Sequence, residues 1–231
     1  MRRKKLFAPF LGFVLSGVLC TGPAGALTID DINDDFTINW FLAKNGSDND
    51  GGGTAPFDLK AKATFDVTAI SNTSVTLLIT LTNLTTPPPG QNSGITSFGI
   101  GVNPNATGVT FTDTPDAGFT KAVLQNGQQN YPGGFKQIDV CVFTNNQCSG
   151  GGQPTALAAG ASDTFTLVIA GAFTGHTVTL TPFPIKFQTS YGSFEFAGTE
   201  DINPAPEPGT VLLLSSGLIG LGLTRWRKRT T

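Results

Sequence analysis

Few side chains in this 231-residue sequence have both the type and the spacing to do chemistry. Cys141 and Cys148 stand seven apart in Cys-Val-Phe-Thr-Asn-Asn-Gln-Cys. In an oxidising compartment such a pair reads as a disulfide closing a short loop. A metal site would need more ligands than these two and the single histidine, His176. A redox pair would normally be spaced Cys-x-x-Cys. Asp48 and Asp50, with Asn45, Ser47 and Asn49, precede three glycines at 51–53. Oxygen ligands on so flexible a turn suit calcium, although the glutamate that closes an EF-hand loop is missing. Asp30, Asp31, Asp34 and Asp35 form a second acidic cluster. Both clusters also fit solvated turns. Glu195 and Asp139 are carboxylates in expected strands, and a glycan hydrolase would need two such groups to converge. His176 could serve a Ser-His-Asp arrangement, but its place between two strands reads more simply as a surface histidine. No Gly-x-Ser-x-Gly elbow, phosphate-binding loop or His-Glu-x-x-His occurs, so no catalytic residue is assigned and no cofactor beyond calcium is expected. Thr-x-Thr pairs such as Thr177/Thr179 raise an ice-binding surface, and the wet face of a strand explains them equally.

The elements that must carry these residues are strands. Apolar residues alternate with period two in Phe36-Thr37-Ile38-Asn39-Trp40. Leu59, Ala61, Ala63, Phe65, Val67 and Ala69 alternate with Lys60, Lys62, Thr64, Asp66 and Thr68. Val75, Leu77, Ile79 and Leu81 repeat the pattern. Further strands are expected at 98–102, 109–111, 138–143, 165–169, 178–180, 185–188 and 194–196. Gly, Pro and Asn clusters separate them, notably 50–53, 86–90, 103–104, 131–134 and 149–154. No helical stripe of twelve residues interrupts the series. Some ten short strands at this spacing predict an all-β fold, an antiparallel β-sandwich or jelly roll, forming one domain over residues 27–203.

Both ends are of another kind. Residues 1–26 read as a signal peptide: Arg2, Arg3, Lys4 and Lys5, an apolar stretch to Leu19, then Ala24-Gly25-Ala26 as the cleavage site. Leu19 is too large to precede a lipidated Cys20, so cleavage after Ala26 is expected. Between the ends lie six basic and fifteen acidic residues, a net charge of −9, which excludes nucleic-acid binding by phosphate neutralisation. At the far end, residues 204–231 hold Pro206-Glu207-Pro208, an uncharged apolar run, and Arg225, Arg227, Lys228 and Arg229. Residues 209–226 as a helix span about 27 Å, just short of the ~30 Å hydrocarbon core. The basic cluster anchors that short transmembrane span on the cytoplasmic side and leaves the domain outside.

Pro-Glu-Pro, a short apolar helix and an Arg-rich end resemble the PEP-CTERM sorting signal of exported bacterial proteins. The resemblance implies a partner, a membrane-embedded exosortase that reads the Pro-Glu-Pro triplet. It implies a transient stay in the cytoplasmic membrane, cleavage near the triplet, and release to the cell surface or into an exopolysaccharide matrix. The run from Cys141 to Gly152, with Lys186-Phe187-Gln188-Thr189 and Gly192-Ser193-Phe194-Glu195-Phe196, resembles the "cistern" subgroup of such proteins. The expected function is that of a non-catalytic surface or matrix protein. The rival is a secreted glycan-active hydrolase built on Glu195 and an aspartate.

Overall fold

The computed structural model describes residues 26–49, 53–113, 118–125, 131–145, 147–149 and 153–201. The predicted signal peptide before Ala26, Asp50, the Pro-Glu-Pro triplet, the span 209–226 and its basic flank lie outside these residues. Among the described residues no helix is long and apolar enough to cross a membrane.

Alternation in the sequence becomes two-faced strands. The strands are β1 (Leu27–Ile29), β2 (Phe36–Leu42), β3 (Leu59–Ile70), β4 (Ser74–Asn83), β5 (Ser93–Ile100), β6 (Val102–Asn103), β7 (Ala106–Asp113) and β8 (Lys121–Leu124). They continue as β9 (Val140–Phe143), β10 (Leu157–Ala158), β11 (Ser162–Gly171), β12 (Val178–Leu180), β13 (Pro184–Thr189), β14 (Gly192–Ala197) and β15 (Thr199–Glu200). All pairings among them are antiparallel. Sheet I runs β15-β2-β3-β4-β11-β7. Sheet II runs β14-β13-β5-β9-β8, with β10 also on β5. A small third sheet, β1-β12-β6, completes the set.

Sheet I buries one face and wets the other. Leu59, Ala61, Ala63, Phe65 and Val67 of β3 are buried, as are Val75, Leu77, Ile79 and Leu81 of β4. The intervening Lys60, Lys62, Thr76 and Thr80 lie on the outer face. The inner faces of sheets I and II share one core. Phe98 of β5 is its hub, meeting Trp40 of β2 at 6.5 Å between ring centroids and Phe165 of β11 at 6.1 Å. Trp40 carries a polar group into this core and donates its indole N–H to the Phe183 carbonyl at 2.8 Å.

The centre of sheet II is buried on both faces. Every residue of β5 is buried. Its inner side chains, Ile95, Phe98 and Ile100, join the main core. Against the outer face lies a second apolar cluster: Tyr131, Phe135, Ile138, Cys141, Phe143 and Cys148. The segments around Tyr131 and Cys148 thus cap sheet II. The expected all-β sandwich is the observed architecture, and all ten expected strands are present. Four short strands, β1, β8, β10 and β15, were not legible, and the expected strand 98–102 is two: β5, which begins at Ser93 and ends at Ile100, and β6, which belongs to the third sheet.

Candidate functional site

Polar side chains meet under the cap of sheet II. β13 and β14 form a hairpin in which Lys186 faces Glu195. The Lys186 ammonium donates to Glu195 Oε1 at 2.5 Å, and both residues are buried. One strand further in, Ser97 of β5 faces Lys186. Ser97 Oγ donates to the Cys148 carbonyl at 3.2 Å and shares a 2.9 Å hydrogen bond with the Tyr131 hydroxyl. Burial holds the Tyr131 phenol well above its usual range against the opposing pull of Ser97, and the negative charge of Glu195 adds to the rise. Tyr131 is therefore a neutral hydrogen-bonding group at any physiological pH.

The cap approaches the sheet closely because of one glycine. Gly133 has φ +76°, and a Cβ there would come within 2.5 Å of Glu195 Cβ. Asn49 binds the same place from another loop. Its backbone N–H donates to the Glu195 carbonyl at 2.8 Å and its side-chain amide to the Gly133 carbonyl at 2.6 Å. Cys141 and Cys148 are bonded, with Cα atoms 6.1 Å apart, inside the normal range for a disulfide. The bond ties the loop after β9 onto the strand it left.

The described residues of the three stretches singled out in the sequence, 141–152, 186–189 and 192–196, thus meet in one assembly. What they build is packing. Glu195 faces a cation and a protein cap in place of solvent. Asp139 is buried as well, its Oδ2 accepting the Val102 N–H at 2.8 Å. Burial raises the Asp139 carboxyl above its ordinary value, against the pull of backbone N–H groups of Val102 and Ala106. Asp139 immediately precedes β9 and Glu195 lies on β14, three strand positions apart in sheet II. That is about 14 Å across the sheet, beyond the ~5–9.5 Å of glycosidase carboxyl pairs. The structure does not bring the two carboxylates together. Sequence reading missed the Lys186–Glu195 pair and the role of Tyr131. A signal for the first was present: Ile185-Lys186-Phe187 and Phe194-Glu195-Phe196 place opposite charges at matching depth in apolar surroundings.

The remaining expected sites are loops. Asp48 is buried, and its Oδ1 accepts the Gly53 N–H at 3.2 Å, closing its own turn. Its expected partner Asp50 is outside the described residues. Asp34 Oδ2 accepts the N–H groups of Asp30 and Asp31, which hold its carboxyl below the usual value. Asp35 Oδ1 accepts the Val67 N–H. These carboxylates cap turns and strand ends. Among the described residues no group of three or more His, Cys, Asp or Glu is placed to hold a metal ion. His176 is exposed on a one-turn 3-10 segment, Thr174–His176.

Two hollows on sheet I differ in charge. One, of about 530 Å³, is lined by Asp35, Asp66, Glu200 and Asp201 among others. The second, of about 380 Å³, is lined by Lys44, Pro56, Phe57, Asp58, Lys60, Leu84, Thr86 and Pro88.

Comparison with known proteins bears on the tail. No curated protein matches the chain. Among solved structures it matches the crystal structure of the yeast GGA1 GAE domain with a TM-score of 0.29 and 13% identity, over 70% of this chain and 96% of that one. The family that matches is the PEP-CTERM protein-sorting motif, over residues 204–229. These are the residues in which the Pro-Glu-Pro triplet, the apolar run and the basic cluster follow one another. The match does not extend to the cistern subgroup. This chain is an all-β sandwich protein that ends in a PEP-CTERM protein-sorting motif.

Proposed function

We propose that this is an exported protein, sorted by an exosortase at Pro206-Glu207-Pro208, whose sandwich associates with exopolysaccharide at the cell surface or in the extracellular matrix and catalyses no reaction. The observation that carries the sorting half is the motif match over residues 204–229. The charge order supports it, with four basic residues at each end and a body of net charge −9 between them. Positive ends stay on the cytoplasmic side while an acidic, disulfide-bonded domain is delivered outside.

The non-catalytic half draws support from Glu195 and Asp139. The first is neutralised by Lys186 under a cap, and the second holds the Val102 backbone. A hydrolase resting on these two would have neither an open site nor converging groups. The test is retention. Protein recovered from the extracellular fraction should co-sediment with exopolysaccharide purified from the same cells and release no reducing sugar from it. Turnover that disappears in Glu195→Gln while the melting temperature holds would overturn the reading in favour of the hydrolase.

A further inference from the structure

Resting on that proposed matrix role, we infer that one end of the outer face of sheet I, around Phe41, Lys60 and Leu84, is a docking surface for acidic polysaccharide, with the hollow beside it receiving a carboxylate-bearing sugar unit.

Charge distribution is the first argument. The body has six lysines and no arginine, and Lys186 is buried. Of the five exposed lysines, three (Lys44, Lys60 and Lys62) sit at this end of sheet I. On a body of net charge −9 this is where an anionic chain meets least repulsion. The other hollow, with Asp35, Asp66, Glu200 and Asp201, lies further along the same strands. The face is therefore polarised from a basic end to an acidic end. A polyanion would cross the strands at the basic end and avoid running along them toward the aspartates.

Register supplies the second argument. Phe41 of β2 faces Lys60 of β3, and the Leu84 N–H donates to the Lys60 carbonyl at 2.9 Å. Phe41 and Leu84, 59% and 48% exposed, both adjoin Lys60 and so form an apolar pair around it. The Lys60 ammonium lies 5.3 Å from the Phe41 ring centroid and 3.2 Å from Asp58 Oδ2. Asp58 also accepts the Lys44 N–H, and its carboxyl is held below the usual value by that bond and by Lys60. Ring and carboxylate steady the Lys60 side chain, and an ammonium has three donors to use. The apolar groups offer a surface to the C–H face of a sugar ring. In the next row, Asn39, Lys62, Thr82 and Ser162 face one another across β2, β3, β4 and β11. They present an amide, an ammonium and two hydroxyls, groups that recognise sugar hydroxyls and carboxylates.

The third argument is size. At about 380 Å³, the hollow between Lys44 and Lys60 falls in the range of small-ligand sites, ~300–1,000 Å³.

The experiment uses the processed protein recovered from the extracellular fraction, with a galacturonate hexamer and a neutral glucan hexamer as probes. The parent should bind the hexauronate, bind it more weakly as salt rises, and bind the glucan poorly. Lys44→Gln with Lys60→Gln should weaken hexauronate binding about tenfold or more, since two charge-assisted contacts are lost. Phe41→Ala should weaken it without removing the salt dependence. All three positions are exposed, and an unchanged melting temperature verifies the fold. Equal affinity for both hexamers, or variants that bind the hexauronate as the parent does, would overturn the inference. So would tighter binding to vesicles of 30% phosphatidylglycerol through the same lysines, or lysine-dependent self-association with no hexauronate binding. Retention on native exopolysaccharide separates the two readings. If the parent is retained and Lys44→Gln/Lys60→Gln is retained equally, this surface fails while the matrix role stands. If the parent is not retained, the matrix role fails first.

Discussion

Lys186 and Glu195 form the most exacting contact in the domain. Two charges removed from water gain stability only through each other and through the groups around them. Removing one leaves the other uncompensated. Lys186→Met should therefore destabilise the fold by about 3–5 kcal/mol. Lys186→Met together with Glu195→Leu should recover most of that loss in urea denaturation. If the double variant is as unstable as the single one, the pair is not the controlling interaction. Asp139 makes a second prediction, of opposite sign to that of the usual surface carboxylate. Burial raises its carboxyl in the folded protein, so the folded state binds a proton more tightly than the unfolded chain. Its contribution is fully present below the unfolded value of about 3.9 and is lost as pH rises toward the folded value. Relative to the parent, Asp139→Asn should gain stability as pH climbs from about 4 toward neutrality. A difference that stays flat with pH would show that this carboxyl is not raised. Asp34, with its lowered carboxyl, contributes in the opposite sense: its stabilisation is present above the unfolded value and lost as pH falls.

Among the elements, the cap over sheet II depends most on one covalent bond. The disulfide closes a short loop, and the chain-entropy estimate of its effect is about 2.5 kcal/mol. Cys141→Ser with Cys148→Ser should lower the melting temperature by a corresponding amount and still leave a cooperative transition, because the main core lies on the other face. Loss of all cooperative melting would mean that the cap holds the sandwich together. This element also shows what the sequence could reveal. The strands of sheet I were legible because one face is wet and the apolar period of two survives, as in Leu59 to Val67. Sheet II was read less completely. With both faces of β5 covered, its outer residues need only match the cap, so Ser97 is buried against Tyr131 and Cys148 where alternation would call it exposed. β8 shows no buried side chain in its Lys121–Leu124 pattern, and β10 and β15 have two residues each, too few for a period to appear. The disulfide followed from spacing and compartment alone. The burial of Glu195 did not, because it required knowing that the 131–135 segment folds over β14. Nor did the basic row, which exists only once register sets Phe41 beside Lys60.

At the scale of the whole molecule, the chain is a β-sandwich followed by a sorting motif. Its surface is acidic apart from one basic end, and its tail carries the sorting motif. Glu207 stands between Pro206 and Pro208 in the matched motif, and it is the one charged residue of the triplet. In the proposed sorting, insertion would rest on the apolar run and on Arg225 to Arg229, and recognition on the triplet. Glu207→Gln keeps the shape and removes the charge. With an epitope tag placed before Pro204, the parent should be found shortened and outside the cell, and Glu207→Gln should remain at full length in the membrane fraction. Equal release of the two would contradict recognition through Glu207, and a parent that is never shortened would contradict sorting altogether.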